Sequence, residues 1–348
     1  MTSIVTEVEV VAAAAAPQMK LPDPWIAEAF ALSPVNLRQM AKDRRWETWW
    51  TIARQADGAA VGILPMYIPK ASEASEPIYD PRQVAPACVG GIPDDARKWA
   101  YIGGFRDLVA GSCVAAGLTD GELSKVRGLL ADRAFGFAMQ QGLQPFMLYV
   151  TERELIDFQK GIGKDTTSAA ITERAILDGP WDSIDTYLAS LPSSRRYSVR
   201  RDFRAFEKFD LVSEHVPAEE MYAEASHLIA KVKRRHGVAD HPRLIEMRLR
   251  NWGAWVDEAE CILVRDGEGL LLAASFVAFQ GDAAEVYEAG LVDDHPARHV
   301  AYVEVLCYGP LRCAVERGVR SIGLGLDSVG PKSLRGARLE KVWGLGLQ

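Results

Sequence analysis

Two hairpin patterns recur along the chain, each followed by a helical pattern and a short apolar run. In the first, ETWWTIARQ and AAVGILPMYIP flank Asp57-Gly58, and in the second, CILVR and LLLAASFVAF flank Asp266-Gly267. Runs of β-branched, aromatic and other apolar residues on both sides of Asp-Gly predict β-hairpins. The sequence therefore predicts one structural plan that occurs twice.

Each hairpin is followed by a helix that ends at a glycine and leads into a strand. GELSKVRGLLADRAFGFAMQQG precedes LQPFMLYV, and HVAYVEVLCYGPLRCAVERG precedes VRSIGLGL. Gly142 and Gly318 stand where a helix C-terminus favours a left-handed residue. The first copy is longer, and its extra residues fall between Pro69 and Asp120, a stretch rich in Pro and Gly that is typical of loops over a binding site. A single α/β protein with two ordinary hairpin and helix units is the alternative.

The rest of the chain supplies a middle segment and a short N-terminal one. The middle reads as the strand AITERAIL, a helix from Trp181 to Leu191, the helix SSRRYSVRRDFRAFEKF, the strand DLVSEHV and two further helices. Residues 1–20 are expected to be a flexible tail or an edge strand. These patterns place a first domain at 21–175 and a second at 176–348.

Composition narrows the class of protein. The chain has 348 residues, enough for two domains, and its net charge is −7, so the surface as a whole does not suit DNA. Five cysteines without a C-x-x-C pair argue against a disulfide framework or a zinc knuckle, and they fit a reducing compartment such as the cytoplasm. The start lacks the features of a signal peptide, and no apolar run reaches about 18 residues, so no membrane span is predicted. Frequent arginine and alanine are typical of a bacterial chain with a GC-rich gene.

Five strings occur in a fixed order over residues 45–348: GAAVGILPMYIP, SSRRYSVRRDFRAFEK, VYEAGL, AVERGVRSIGLGLDS and KSLRGARLEKVWGL. Together they resemble the FemAB-like branch of the GNAT acyltransferase superfamily. The resemblance implies an α/β (α+β) fold of two tandem GNAT-like domains, each a mixed sheet flanked by helices, with a cleft between them. It also implies an N-acyltransferase that joins an activated acyl or aminoacyl group to an amine. Aminoacyl-tRNA or acyl-CoA would be the co-substrate, and no tightly bound cofactor is expected.

The chain departs from this family in two places. Related proteins often carry Pro-Gly before the second-domain helix, where this chain has DDHPARHVAYVEV. The middle also lacks a long coiled-coil arm, so a cell-wall precursor is not the obvious acceptor. A small-molecule amine is expected instead. A non-catalytic binding module on the same fold is an alternative from another functional class.

The phosphate-binding string of a CoA-dependent enzyme is poorly represented. A pyrophosphate normally binds backbone N–H groups at a helix N-terminus that follows a glycine-rich turn. Residues Arg320 to Gly325 match the spacing R-x-x-G-x-G, but they read as a strand with no helix starting after it. This observation favours tRNA slightly over CoA as the donor.

Two basic segments could neutralise tRNA phosphates. Residues 194–208 carry six basic residues against two acidic ones, and residues 231–250 carry seven against two. Two solvated helix faces paired with local acids are the alternative. The candidate tRNA-binding residues are Arg196, Arg201, Arg204, Lys233, Arg234 and Arg235.

Amide formation needs a group that removes a proton from the amine and a group that stabilises an oxyanion. The resemblance places Lys332 near the reacting carbonyl. Asp327 ends the strand RSIGLGL, and Glu288 is a charged residue within an apolar run, which makes both candidate catalytic carboxylates. The alternatives are a surface lysine and solvent-facing acids. The candidate substrate-binding residues are Tyr287, Arg195, Arg200, Tyr302 and Glu304. His295 and His299 are four apart, but two histidines alone do not complete a metal site, and none is predicted.

Overall fold

A computed structural model of the protein describes residues 4–15, 20–21, 23–74, 76–89, 91–104, 109–163, 165–326 and 328–347. The chain divides into a first unit, Met1–Thr172 with Lys341–Gln348, and a second unit, Glu173–Glu340. Each unit is a mixed sheet flanked by helices and has its own cluster of buried apolar side chains. Across the described ranges, no helix combines the length and the apolar character needed to cross a membrane.

The first unit is built on the first predicted hairpin and helix. Its elements are β1 (Glu7–Ala12), β2 (Trp25–Ile26), α1 (Pro34–Met40), β3 (Trp46–Arg54), β4 (Ala60–Pro69), α2 (Pro81–Val84), β5 (Trp99–Ile102), β6 (Cys113–Ala115), α3 (Asp120–Gln140), β7 (Gln144–Thr151) and α4 (Glu152–Ile162).

Local sequence signals explain the first hairpin and the long helix. The Asp57 side chain accepts a hydrogen bond from Ala59 N at 2.9 Å, and Gly58 adopts a φ of 84°. Thr119 and Glu122 form a capping box at the start of α3. Gly142 lies just beyond α3 with a φ of 69°, as predicted.

The main sheet of the first unit has the order β1, β3, β4, β5, β7, and β6 pairs with β4 and β2. β5 and β7 are parallel, and the other pairs are antiparallel. The chain crosses between the two parallel strands through α3, whose inward face packs on the sheet.

One alternative for the N-terminal segment is confirmed over part of its length, and one expectation about the first unit needs correction. Glu7–Ala12 forms the antiparallel edge strand β1 along β3, and Glu9 accepts a hydrogen bond from Arg54 Nε at 2.6 Å. The stretch from Pro69 to Asp120 is not only loops. It contains β5, whose four residues are all buried and pair with β4 and β7.

The second unit repeats the plan with extra helices. Its elements are β8 (Thr166–Asp178), α5 (Ile184–Ser190), α6 (Ser193–Lys208), β9 (Val212–Pro217), α7 (Ala218–Arg235), α8 (Pro242–Gly253), β10 (Glu258–Arg265), β11 (Leu271–Gln280), β12 (Ala283–Leu291), α9 (Arg298–Val303), a π-helical turn (Glu304–Tyr308), α10 (Gly309–Arg317), β13 (Ser321–Leu326) and α11 (Val329–Leu334). The final strand, β14, spans Arg338–Leu347.

The sheet of the second unit has the order β8, β13, β12, β11, β10, β9. β12 and β13 are parallel, as β5 and β7 are in the first unit. The hairpin of β10 and β11 forms as predicted, but Gly269 rather than Gly267 supplies the left-handed residue, with a φ of 85°. Asp266 Oδ1 accepts hydrogen bonds from the backbone N–H groups of Glu268 and Leu270, which extends the turn by two residues.

Two strands, β8 and β14, are each divided between the two units. β8 follows the helices of the first unit, yet its second half pairs with β13 of the second. β14 follows the helices of the second unit, yet residues 342–346 pair with β7 of the first. The predicted second domain, 176–348, therefore includes Lys341–Gln348, which the structure assigns to the first unit. Strand pairing between distant segments decides this assignment.

The helix predicted from His299 to Gly318 is interrupted by the π-helical turn. Pro310 has no N–H to donate to the carbonyl of Leu306, so the regular α-helical hydrogen-bond ladder cannot run through this point. The helix ends at Gly318, which has a φ of 67°. The altered turn contributes Tyr308 to the buried interior, where its hydroxyl meets Asp202.

Candidate active site

The parallel strands β12 and β13 pair only at their beginnings. Ala283–Glu285 pair with Ser321–Gly323, and no later pairing between the two strands occurs among the residues that the structure describes. The register between β11 and β12 also shifts at Tyr287, which forms a β-bulge. A crevice at the carboxyl ends of parallel strands is a common location for ligands in α/β proteins.

A cavity of about 760 Å³ lies at this end of the second unit. Helices α6, α7, α9 and α11 line it together with Ala289–Leu291 of β12. Its volume falls within the usual range for small-molecule and cofactor sites. The basic residues among its lining are Arg201, Arg235, Arg298, Arg335, His236 and His299. We call this the arginine cavity.

Asp202 is the acidic residue in the lining, and a buried partner neutralises it. Arg335 donates to Asp202 Oδ2 from Nη2 at 2.6 Å and from Nε at 3.0 Å. The hydroxyl of Tyr308 donates to the same oxygen at 2.7 Å. Burial and the charge of Asp202 raise the pKa of Tyr308 above its usual value, so the hydroxyl stays protonated at neutral pH. Arg201 and Arg298, which form no ion pair within the described ranges, therefore leave the cavity with a positive field.

Arg298 offers an unused donor in the cavity wall. Its Nη1 donates to the carbonyl of Asp293 at 2.8 Å, whereas its buried Nε has no hydrogen-bond partner within the described chain. Arg235 pairs with the carboxylate of Asp293 at 2.9 Å. A buried donor without a partner destabilises the free protein, and an anionic ligand would satisfy it.

The predicted oxyanion residue, Lys332, lies on α11 and is 3% exposed. Its Nζ donates to the carbonyls of Leu326 at 2.8 Å and Gly325 at 3.4 Å, at the end of β13. Lys332 is absent from the cavity lining, although Pro331 of the same helix and Arg335, which follows its last residue, belong to it. Asp327, the second predicted catalytic residue, lies outside the described residues. The presence of α11 also corrects the expectation that no helix follows RSIGLGL.

Glu288 and Tyr287 do not line the cavity. Glu288 accepts from Arg248 Nη2 at 2.9 Å and lies 3.6 Å from Lys233 Nζ. Asp240 contacts the same two cations. The four side chains therefore form a network of ion pairs outside the cavity lining. The ring of Tyr287 stacks on Trp252 with centroids 4.8 Å apart.

The two residues predicted to open the last helix have different surroundings. Tyr302 lines the arginine cavity. Glu304 is 3% exposed, forms an ion pair with Arg312 and accepts from Ser213 Oγ at 2.8 Å. Glu304 therefore stabilises the junction of β9 with the π-helical turn and does not contact the cavity.

The basic residues of α6 differ from those of the second basic segment. Within the described ranges, the α6 side chains Arg195, Arg200, Arg201, Arg204 and Lys208 form no ion pair. Arg201 lines the arginine cavity. Arg204 lies 6.0 Å from the ring centroid of Tyr197, which is 63% exposed. Arg196 instead donates to the carbonyl of Leu191 at 2.9 Å.

The second basic segment is largely neutralised. Lys233, Arg235, Arg248 and Arg250 each form an ion pair with a carboxylate of the second unit. Arg234 is exposed. Pairing with local acids, the alternative to tRNA binding, therefore describes this segment. It does not describe α6.

Sequence reasoning missed Arg298, Arg335 and Asp202 as residues of the site. Arg335 belongs to the string KSLRGARLEKVWGL and Arg298 to DDHPARHVAYVEV, but neither spacing showed a role. Asp202 and Arg335 are 133 positions apart, so no local pattern joins them.

No protein-family model matches the chain, and no curated protein matches its sequence. Solved structures do match its fold. FemX superposes with a TM-score of 0.60 at 11% identity, over 99% of this chain and 98% of that one. A conserved protein of unknown function from Bacteroides thetaiotaomicron gives 0.55 at 13% identity, over 91% of both chains. L-PGS from Bacillus licheniformis gives 0.50 at 9% identity, over 84% of this chain and 82% of that one.

These likenesses confirm the fold that the sequence predicted. The chain shares with FemX, over nearly its whole length, a fold whose two units in this chain are each a mixed sheet flanked by helices. At these identities the likeness establishes the fold alone. The chemistry must be argued from the residues of the site.

Proposed function

We propose that this protein is an N-acyltransferase that binds a phosphate-bearing acyl or aminoacyl donor in the arginine cavity and transfers the acyl group to a small-molecule amine. Aminoacyl-tRNA is the preferred donor. The observation that carries the proposal is the cavity itself, which combines arginines with the open end of β12 and β13. Arginine matches phosphate geometry through paired N–H donors.

The transfer step requires little covalent chemistry from the protein. The amine nitrogen attacks the acyl carbonyl carbon, the C–N bond forms, and the ester bond to the ribose oxygen of the tRNA breaks. The amine loses a proton, and the departing oxygen gains one. Lys332 is our candidate for the charge that stabilises the oxyanion, because its ammonium lies at the end of β13.

The choice of tRNA rests on α6. Five cations of this helix form no ion pair within the described chain, and one of them, Arg201, reaches the cavity. Unpaired cations along one helix suit an extended polyanion, whereas a single pyrophosphate needs only the cavity residues. The exposed ring of Tyr197 beside Arg204 adds a surface on which a base can stack.

Salt dependence of tRNA binding tests this proposal. The slope of log K against log salt is negative, and each phosphate contact makes it steeper by about 0.7 to 0.9. We expect Arg200→Gln with Arg204→Gln to make this slope shallower by about 1.4 to 1.8. Arg44→Gln with Arg133→Gln, which change two exposed cations of the first unit, should leave it unchanged. An equal effect of both pairs would show that binding follows net charge alone.

Acyl-CoA is the competing donor. Arg298 does not discriminate between aminoacyl-tRNA and acyl-CoA, because both carry phosphate. We expect Arg298→Gln to weaken donor binding by about tenfold or more, since it removes a charged donor. If the enzyme turned over acyl-CoA at a rate insensitive to salt and did not turn over charged tRNA, acyl-CoA would replace aminoacyl-tRNA as the proposed donor. Binding of either donor without turnover of any amine would identify a non-catalytic module.

A further inference from the structure

Three potential metal ligands from distant parts of the chain meet on one face of the second unit, away from the residues that line the arginine cavity. His215 belongs to β9, Glu260 to β10 and Cys313 to α10. One donor atom from each lies within 4.8 Å of the other two. His215 Nδ1 and Glu260 Oε2 are 3.2 Å apart.

Strand pairing fixes this geometry. His215 stands opposite Ile262 in the register of β9 and β10, and Glu260 lies two residues before Ile262. His215 and Glu260 are therefore diagonal neighbours on one face of the sheet. Helix α10 carries Cys313 into contact with Glu260 from above that face.

The two carboxylate oxygens of Glu260 contact different side chains. Arg317 forms an ion pair with Oε1, so its guanidinium fixes the carboxylate and leaves Oε2 directed toward His215. Arg317 also donates to Glu258 Oε1 at 2.8 Å and lies over the ring of Phe279. An outer carboxylate and arginine that orient a ligand are a common feature of metal sites.

The charges around the cluster favour a divalent cation. Among the residues that the structure describes, three carboxylates pair with one cation, Arg317: Glu258, Glu260 and, at 3.9 Å, Glu316. The cluster therefore carries a surplus of two negative charges when Cys313 is a thiol and His215 is neutral.

We propose that His215, Glu260 and Cys313 form a zinc site. A thiolate, an imidazole and a carboxylate are the donors that Zn²⁺ accepts in tetrahedral sites, and three protein ligands leave a fourth position open. That position faces solvent, because the side chain of His215 is 47% exposed, whereas Cys313 is 2% exposed. The site binds Zn²⁺ with release of the thiol proton and is independent of the acyl transfer proposed above.

Titration of the full chain with Zn²⁺ against a chromogenic chelator tests the site. We expect one equivalent to bind, and Cys313→Ser and His215→Asn each to weaken it at least tenfold. Cys261→Ser and His227→Asn are matched controls that should bind as the wild type does. Cys261 is buried on the same strand as Glu260, and His227 is an exposed histidine of α7.

The absorption spectrum of bound Co²⁺ distinguishes a Cys313 that ligates the metal from one that only stabilises the fold. We expect Co²⁺ to produce a thiolate charge-transfer absorption in the wild type and in Cys261→Ser, and none in Cys313→Ser. Zinc binding should also release about one proton at pH 7.5, measured by calorimetry in buffers of different ionisation enthalpy. Unchanged zinc affinity in a folded Cys313→Ser variant, or the absence of the thiolate band in the wild type, would overturn the proposal.

Discussion

Asp202 and Asp178 allow a direct test of how burial determines the contribution of an ion pair. Both pair with an arginine of the second unit at similar distances, 2.6 Å to Arg335 and 2.7 Å to Arg338. The side chains of the first pair are each 10% exposed, and those of the second are 53% and 48% exposed. Because both pairs lie in one unit, they report on the same unfolding transition.

We expect Asp202→Ala to lower the free energy of unfolding by about 3 to 5 kcal/mol, because the charge of Arg335 stays buried without its partner. Tyr308 also loses the acceptor of its hydroxyl. Asp178→Ala should cost about 0 to 1 kcal/mol, since water screens the exposed pair and solvates the arginine left behind. The double variant Asp202→Leu with Arg335→Met should recover most of the loss, because it leaves no buried charge.

Urea unfolding followed by far-ultraviolet circular dichroism measures these differences. The second unit should unfold at lower urea in Asp202→Ala, and the slope of the transition should stay unchanged. Equal costs for Asp202→Ala and Asp178→Ala would refute the reasoning. So would a double variant that is no more stable than the single one.

Three further predictions concern packing, proton binding and catalysis. Gly161→Ala should destabilise the first unit by about 1 to 3 kcal/mol in the same urea assay, because the added Cβ would overlap the backbone of Gly128. Gly136 has open space around it, so Gly136→Ala should stabilise α3 by up to about 1 kcal/mol. Burial raises the pKa of Glu154 from 4.5 to about 7, so the folded state keeps a proton that the unfolded chain has lost. The free energy of unfolding should therefore fall as pH rises from about 5 to 8, and Glu154→Gln should remove that slope. Lys332→Ala should lower the single-turnover rate by about 10²- to 10³-fold at unchanged donor affinity, and a rate within a few-fold of the wild type would leave backbone donors as the oxyanion candidates.

Local patterns predicted the parts of the fold that local physics decides. The two hairpins and the ends of α3 and α10 depend on a few neighbouring residues, such as Asp57-Gly58 and Gly318, and all of them formed. The π-helical turn was missed, although Pro310 is the visible signal for it. The assignment of β8 and β14 could not be predicted, because it depends on pairing with strands that lie far away in the sequence.

The candidate site was predicted less well for the same reason. The basic character of α6 was visible from composition, but the neutralisation of the second basic segment depends on acids such as Asp293 that folding brings near. In the sequence, Glu288 is an isolated acid in a strand, but in the structure Arg248 of α8 donates a hydrogen bond to it. A functional residue could be separated from a structural one only when its partners were known.

The pairing of β14 with β7 bears on how the protein is synthesised. Synthesis proceeds from the N-terminus, so residues 1–172 leave the ribosome before the strand that completes their sheet. At about 5 to 20 residues per second, the first unit waits for roughly ten to thirty seconds with one side of β7 exposed. An unprotected strand edge is a template for pairing with a second nascent chain. We therefore expect folding yield to depend on translation rate and on chaperones that bind early, more than on the stability of the finished protein.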